Sequence, residues 1–283
     1  MIPQPPPGLE PTAWGAMPSP PVGVPPRPDE LSAPGPGPRG LPAVDWSIWK
    51  ALLVGLVTNL VLAQALVGGV LLVALGATST DEASSGNALV YVSVISDLVW
   101  LGCMLVWLFN WHPGWRERIG IVFGRRGLRD GAFGGIAGLI LYPVVAIGIG
   151  IPLTLLFRAL SGQETTTPDQ LPSDLSTTAA AASVVLAVLV APVVEELFFR
   201  GLVFRSVRDR RGFWAGALVS GLLFGAAHYV PAAWQDTVLL QSIMVFTGIG
   251  LAWIYERRGN LVANVAAHMA FNAIGIVLIL SVR

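Results

Sequence analysis

The sequence predicts an all-α protein, a polytopic bundle of about seven membrane-spanning helices preceded by a disordered tail. Of its 283 residues, 54% are hydrophobic and 12% are charged, whereas a soluble domain carries about 25% charged residues. The mean hydropathy is +0.67. Seven apolar runs follow the tail, each near the ~20 residues that a spanning helix needs.

Residues 1–44 differ in composition from the rest of the chain. They hold 15 of the 22 prolines and show no apolar period. Such a segment cannot bury a core, so we expect a disordered tail, or alternatively a docking segment for a proline-binding domain. It lacks the basic and apolar regions of a signal peptide. The predicted division is a tail at 1–44, three helices at 45–177 and a transmembrane core at 178–283.

Turn-forming and charged residues separate the seven runs in order. The first run ends in ATSTDEASSGN and the second at NWHPGW. The third lies between GRRGLRD and SGQETTTPD, and the fourth ends in RSVRDRRG. The fifth ends at PAAWQD and the sixth at ERRGN. The runs lie at roughly 48–76, 88–110, 131–157, 178–204, 213–230, 234–255 and 261–281.

The charges of the loops predict the topology. Segments 111–130 and 200–212 hold five arginines each, and 256–260 holds two. The intervening loops are acidic, with at most one arginine. Arginine-rich loops are cytoplasmic by the positive-inside rule, so the N-terminus is predicted to be cytoplasmic.

The composition also indicates which cellular compartment and which kinds of partner to expect. One lysine among 17 basic residues, with abundant Ala, Gly, Pro and Arg, is typical of a GC-rich bacterial genome, so we expect a bacterial plasma membrane. Cys103 is the only cysteine, which excludes a disulfide framework and a multi-cysteine metal site. Acidic and basic residues balance at 17 each. We expect membrane lipid as a partner and no nucleic acid.

Few ionisable residues interrupt the runs. Glu195 and Glu196 lie in the fourth, His228 in the fifth and His268 in the seventh. One acidic side chain at the bilayer centre costs about 2.5–3.5 kcal/mol, so such residues indicate a functional site.

Two other polar residues have structural explanations. Asp97, in the second run, is interpreted as a helix-packing acid or as one whose carboxyl group extends to water, and the sequence leaves its role open. His112, in NWHPGW, is explained as an interfacial residue among tryptophans.

Helix geometry predicts that Glu195 and His228 face each other. If DRRG at 209–212 is the turn between the fourth and fifth helices, both residues lie ~25 Å from it. Glu196 and Arg200 are four residues apart and form an ion pair. Glu195 then remains free to point towards His228.

The seventh helix brings further polar groups to the same depth. Asn264, His268 and Asn272 are spaced by four and share one helix face. We expect His268 and Asn272 to join the site, with Asn264 flanking it.

A carboxylate, two imidazoles and a carboxamide, without a candidate Ser or Cys nucleophile, suit the activation of water. Glu195 can take a proton from water, and His268 and Asn272 can donate hydrogen bonds to an oxyanion. Alternatively, Glu195, His228 and His268 are ligands of a divalent metal such as zinc with an open fourth position. The sequence leaves both chemistries open.

The motifs of these residues resemble those of one protease family. HExxH, GxSG and GxGD are absent, whereas EELFFR, FGAAH and HMAFN fit EExxxR, FxxxH and HxxxN. Over about residues 178–275 the chain resembles the CPBP family: CAAX-prenyl-protease-like and bacteriocin-processing intramembrane endopeptidases, also called the abortive-infection family. The resemblance implies a multi-pass helical fold and peptide-bond hydrolysis, with or without a metal. It implies the catalytic set Glu195, Glu196, Arg200, His228, His268 and Asn272.

The sequence thus predicts an intramembrane endopeptidase that acts on a membrane-associated or lipidated peptide or protein. One alternative is a non-catalytic membrane protein of the same fold, such as a bacteriocin immunity factor or a scaffold. Another is a proton-coupled transporter. Transport is disfavoured because the two halves of the chain lack matching interrupted segments.

Overall fold

A computed structural model describes residues 37–74, 86–162, 164–168 and 175–282. These residues are helical and contain no strand, which confirms the predicted all-α bundle. Six helices are long and apolar enough to span a membrane, and a seventh is shorter. They are α1 (Ile48–Leu71), α2 (Gly86–Trp111), α3 (Gly124–Ser161), α4 (Thr177–Arg211), α5 (Phe213–Ala227), α6 (Trp234–Arg258) and α7 (Leu261–Ser281).

The hairpin between α4 and α5 has the predicted turn but unequal arms. Gly212 has a φ of +84°, a conformation that favours glycine, and it ends α4 after Arg211. The α5 helix stops at Ala227, three residues before the predicted end of its run. As a result, α4 has 35 residues and α5 has 15.

The α4 helix is at the centre of the bundle. Every residue from Leu197 to Phe204 is buried. Their side chains pack with the buried Trp100 and Met104 of α2, and with Phe224 of α5. Many apolar side chains of α1 and α3 instead point outward, as expected of surfaces that lipid covers. The central helix is also the one that carries the paired glutamates.

Glycines bring α3 and α7 into backbone contact. The Cα atoms of Gly134 and Gly138 lie against the carbonyl groups of Ala263 and Ala267, leaving no room for a Cβ atom. Small residues four apart commonly allow such close packing of membrane helices. This contact fixes α7, and therefore His268, against α3.

Substituting Gly134 by Ala should destabilise the bundle, whereas Gly135→Ala should not. A Cβ at 134 collides with the backbone of Ala263, but one at 135 meets no atom within 4 Å. Overpacking costs about 1–3 kcal/mol, while Ala gains up to ~1 kcal/mol over Gly in a helix. Thermal unfolding in detergent measures both variants. Equal unfolding midpoints for Gly134→Ala and Gly135→Ala would contradict the close contact between α3 and α7.

Part of the predicted disordered tail is ordered. Residues 37–46 pack against the arginine-rich end of the bundle, and Val44 and Trp46 are completely buried. The indole N–H of Trp46 donates to the Leu202 carbonyl of α4 at 3.1 Å. The prediction of a tail over 1–44 is therefore wrong for 37–44. The prediction failed there because the proline content of the whole segment outweighed the few apolar residues of GLPAVDW. Residues 1–36 lie outside the described residues.

An internal ion pair holds this segment. Arg205 and Asp209 of α4 are fully buried and 2.8 Å apart. Arg205 also donates to the Pro42 carbonyl at 2.7 Å, and Asp209 accepts from the Val44 amide at 3.0 Å. Residues 37–46 thus supply the hydrogen bonds that a buried ion pair requires.

Beside this segment, His112 packs among tryptophans as predicted. Its ring lies 5.1 Å from Trp46 and 4.2 Å from Trp107, and its Nδ1 lies 2.7 Å from an Asp45 oxygen.

Trp46→Ala should destabilise the protein by about 3–5 kcal/mol, the usual effect of truncating a buried aromatic side chain. Trp49→Ala is the matched control, because Trp49 is 76% exposed. Chemical or thermal unfolding in detergent measures the difference. A Trp46 variant as stable as the Trp49 variant would show that the 37–46 contacts contribute nothing.

Candidate active site

The paired glutamates lie where α4 departs from regular α-helical geometry. Glu195 and Glu196 stand between two π-helical stretches, Leu186–Val190 and Leu197–Phe204. Single π-helical turns are frequent at functional sites.

Hydrogen bonds engage both oxygens of the Glu196 carboxylate, which is fully buried. Arg200 Nη1 donates to Oε1 at 2.7 Å, which confirms the predicted pair. Asn264 Nδ2 donates to Oε2 at 2.7 Å, and His268 Nδ1 lies 2.9 Å from Oε1. Glu196 therefore joins α4 to α7, and Arg200 compensates its charge.

Arg200 extends this network to α5 and α6. Its Nη2 donates to the Gly248 carbonyl of α6 at 2.9 Å. Its guanidinium lies 4.8 Å from the ring centre of Phe224 in α5, a favourable cation–π distance. One buried side chain thus contacts two neighbouring helices.

The imidazole of His268 connects the two glutamates. Because Glu196 is a hydrogen-bond acceptor, its contact with Nδ1 assigns the proton to Nδ1. His268 Nε2 is then directed towards Glu195, whose Oε2 lies 3.7 Å away. Glu195 Oε2 is buried and has no hydrogen-bond partner among the described residues. Glu195 is therefore the free carboxyl group of the pair.

His228 makes no hydrogen bond or ion pair with Glu195 in the part of the chain that the structure describes. The predicted partner of Glu195 was His228, but the histidine that meets it is His268. His228 follows the last residue of α5, its Nδ1 lies 2.8 Å from the Phe224 carbonyl oxygen, and its ring lies 4.5 Å from that of Phe224. Because α5 ends at Ala227, the Phe224 carbonyl is left free at the helix end, and it contacts the His228 side chain.

Asn272 is bonded to the backbone of α4 and not to the carboxyl groups. Its Nδ2 donates to the Ala187 carbonyl at 2.8 Å. In the π-helical register, where Ala191 bonds to Leu186, the next donor to Ala187 would be residue 192. That residue is Pro192, which has no N–H. Asn272 therefore satisfies a carbonyl that a proline leaves free, and its role as an oxyanion donor stays a prediction.

Sequence reasoning assigned no role to two groups of the network. Asn264 carried a signal, since it precedes His268 by four residues on the same face. The Gly248 carbonyl carried none, because a backbone acceptor is not marked by its residue type; in the structure Gly221 of α5 packs directly on Gly248. Backbone acceptors become visible only when the helices are docked.

The predicted metal ligands do not form a metal-binding group in this structure. Within the described ranges, no three His, Cys, Asp or Glu side chains are grouped so that they could hold an ion. Glu195 and His268 approach each other, whereas His228 is bonded at the end of α5. The donor set of Glu195, His228 and His268 therefore does not fit a metal as placed.

Comparison with known proteins confirms the family resemblance. Residues 177–274 match the Rce1-like family, described as type II CAAX prenyl endopeptidase Rce1-like. This Rce1-like segment runs from the start of α4 to the middle of α7 and contains all six predicted site residues. The match supports an intramembrane protease at the level of the family.

Curated relatives match the same part of the chain. "Putative membrane peptidase YdiL" of Bacillus subtilis (strain 168) is 26% identical over 95 residues, covering 34% of this chain and 36% of that protein. An uncharacterized 24.3 kDa protein of Escherichia coli is 32% identical over 90 residues, covering 31% and 40%. The protein YxdF of Lactococcus lactis is 25% identical over 87 residues, covering 31% and 44%.

These matches span less than half the length of each relative. The Rce1-like match and the Bacillus subtilis relative support a membrane peptidase, while the substrate and mechanism of the whole chain belong to the proposal below. No solved structure matches the chain.

Glu196→Gln should destabilise the fold far more than Glu195→Gln. The first change leaves Arg200 without its buried counter-charge, which costs about 3–5 kcal/mol. The second removes a carboxyl oxygen that has no hydrogen-bond partner among the described residues. Thermal unfolding of the two variants in the same detergent measures the contrast. A greater loss of stability in Glu195→Gln than in Glu196→Gln would show that the roles assigned to the two glutamates are reversed.

Proposed function

We propose that this protein is an intramembrane endopeptidase in which Glu195 activates the attacking water. One observation carries the proposal: Glu195 Oε2 is unpartnered and faces His268 Nε2 at 3.7 Å, while the adjacent Glu196 is fully hydrogen-bonded. A general base must be free to accept a proton and be positioned near the group that it deprotonates. Glu195 meets the first requirement, and the nearby His268 Nε2 supports the second, because it offers a further acceptor for a water molecule.

The spacing of the two groups suits one water molecule. Both Glu195 Oε2 and an Nδ1-protonated His268 offer acceptor atoms, and at 3.7 Å a single water can donate to both. A water held by both hydrogens directs its lone pairs away from them, towards a substrate carbonyl. Glu196 contributes by fixing the imidazole through Nδ1.

The reaction follows from this arrangement. Glu195 takes a proton as the water oxygen bonds to the scissile carbonyl carbon. The same proton then passes to the amide nitrogen, the C–N bond breaks, and a carboxylic acid and an amine form. Water is consumed and no other reactant is required.

This scheme assigns no step to a metal, because the grouped ligands that a metal needs are not assembled. Zinc bound by Glu195, His228 and His268 remains the separate prediction from the sequence. Metal analysis of the purified protein tests it. If the wild-type protein binds metal stoichiometrically and the variants Glu195→Gln, His228→Ala and His268→Ala lose it, a metal-dependent mechanism would replace the metal-free scheme.

The proposed substrate is a peptide or protein held at the membrane, since the site lies within the bundle. The arginine-rich loops support a cytoplasmic N-terminus. A prenyl group belongs to the name of the matched family and is not carried over to this chain.

Glu195→Gln should lower the rate of cleavage at least ~10²-fold while the protein still folds, because an amide cannot accept the proton. Glu117→Gln is the control, since Glu117 is exposed on a short helix outside the spanning segments. Comparative membrane proteomics of a deletion strain and a Glu195→Gln strain measures uncut protein, and the same strains complemented with wild type, in which cleavage is restored, are the reference. The same protein should accumulate in both strains.

Cleavage that persists in Glu195→Gln would remove Glu195 from the mechanism. If the Glu195→Gln variant fully rescued the deletion phenotype without any cleavage, the function of the protein would be non-catalytic.

A further inference from the structure

A groove, here called the α3–α7 groove, opens between these two helices at the arginine-rich end of the bundle. On α3 it is lined by Gly124, Gly127 and Gly131, which are three or four residues apart and share one helix face. Val262 lines it from α7, and the recess has a volume of about 290 Å³. This volume is near the lower limit for sites that bind small molecules. The groove can therefore hold one chain of an elongated ligand.

The α3–α7 groove lies where the close contact of the two helices ends. Along the same face of α3, Gly134 and Gly138 lie against the backbone of α7 and leave no space. At Gly131 the nearest atom to an added Cβ would be Val262 Cγ1 at 3.8 Å, and at Gly124 no atom lies within 4 Å. The helices thus touch from residue 134 onward and separate before it.

The lining of the groove is apolar, and part of it is exposed in the structure. Phe123 and Leu128 line the groove and are 76% and 78% exposed. Water is a poor occupant of such a recess, because a bound water needs several hydrogen-bonding partners. Hydrocarbon suits the recess better, so we expect an acyl chain of the surrounding lipid to lie in it.

Positive charge flanks the groove on the neighbouring face of α3. Arg125 and Arg129 are exposed and four residues apart, so their side chains lie next to each other. Among the described residues no carboxylate pairs with either of them, since the nearby Asp130 is paired with Arg126 and Arg258. Two guanidinium groups without a counter-charge therefore stand beside an apolar recess.

An anionic phospholipid combines the two chemistries that this site offers. Its acyl chain matches the apolar groove, and its phosphate matches guanidinium groups, which bind phosphate through paired hydrogen bonds. Basic recesses between membrane helices on the cytoplasmic side are typical sites for anionic headgroups. The loop charges predict that the arginine-rich end is cytoplasmic, and anionic lipids make that leaflet surface negative.

We propose that the α3–α7 groove binds one anionic phospholipid, with an acyl chain beside Gly131 and Val262 and the phosphate at Arg125 and Arg129. This site goes beyond the proposed function and does not depend on it. The lipid lies across α3 and α7 next to the backbone contact that fixes His268, so its binding should also stabilise that contact.

Native mass spectrometry of the full-length protein in detergent measures the binding. The probes are palmitoyl-oleoyl phosphatidylglycerol, which is anionic, and phosphatidylcholine with the same acyl chains, which has no net charge. Phosphatidylglycerol should bind about thirtyfold more tightly, because each of two arginines contributes a factor of about five. It should also raise the unfolding midpoint more than phosphatidylcholine does, as expected of a ligand that binds the folded state.

A pair of double variants tests the charges. Arg125→Gln combined with Arg129→Gln should abolish the preference for phosphatidylglycerol. Arg210→Gln combined with Arg211→Gln is the matched control, because it removes two exposed arginines at the α4–α5 turn. The control should keep the preference of the wild type, although its net charge changes by the same amount.

A further pair of variants tests the groove itself. Gly131→Leu fills the recess without changing any charge, and its Cβ meets Val262 at an ordinary contact distance. It should abolish the binding of phosphatidylglycerol at this site. Gly102→Leu is the control, because a Cβ at this position of α2 meets no atom within 4 Å.

Photocrosslinking provides a measurement on the wild-type protein alone, in nanodiscs. Phosphatidylglycerol with a diazirine in its acyl chain should label residues 123–132 or Val262, identified by mass spectrometry of the digested protein. Excess unlabelled phosphatidylglycerol should suppress this labelling, whereas the same excess of phosphatidylcholine should not.

Equal affinities of the two lipids, or a preference that survives Arg125→Gln with Arg129→Gln, would overturn the assignment. Undiminished binding in Gly131→Leu would place the lipid outside the groove and would overturn it as well. Labelling only in other segments would mean that the groove is covered by something else, with the same consequence. None of these results would affect Glu195-dependent cleavage, so the failure of this proposal is distinguishable from that of the proposed function.

Discussion

The buried Glu196–Arg200 pair is the interaction on which the rest of the site depends. Its members are fully buried and 2.7 Å apart, and their other bonds reach Asn264, His268 and the Gly248 carbonyl. A buried pair adds little net stability over an apolar one, but losing one member is costly. The pair therefore acts as a positional constraint, because α4, α6 and α7 can dock in only one register if each of these bonds forms.

Two adjacent glutamates differ in chemistry because a helix turns by about 100° per residue. Glu196 points into the network and is fixed by it. Glu195 points away, where His268 approaches it, and keeps an oxygen without a hydrogen bond among the described residues. The free carboxyl group thus depends on its bonded neighbour, since Glu196 is what orients the imidazole that meets Glu195.

Local patterns in the sequence predicted what depends on local geometry. Hydropathy predicted the spans, DRRG predicted the turn at Gly212, and a spacing of four predicted the Glu196–Arg200 pair. The contacts of His228 and Asn272 depend instead on where α5 ends and on the π-helical register of α4. The order of residues 37–44 depends on the distant Arg205 and Asp209. Neither the end of a helix nor a contact with a distant residue leaves a periodic pattern in the sequence.

The bond from Asn272 to the Ala187 carbonyl has an evolutionary consequence. In hydrocarbon no water can replace that bond, so a chain that keeps Pro192 has reason to keep Asn272 whether or not it cleaves anything. The asparagine of the HxxxN motif would then persist in relatives that have lost catalysis. Inactive descendants are better recognised at Glu195, because its Oε2 has no hydrogen bond in the described bundle and packing alone gives no reason to retain a carboxylate there.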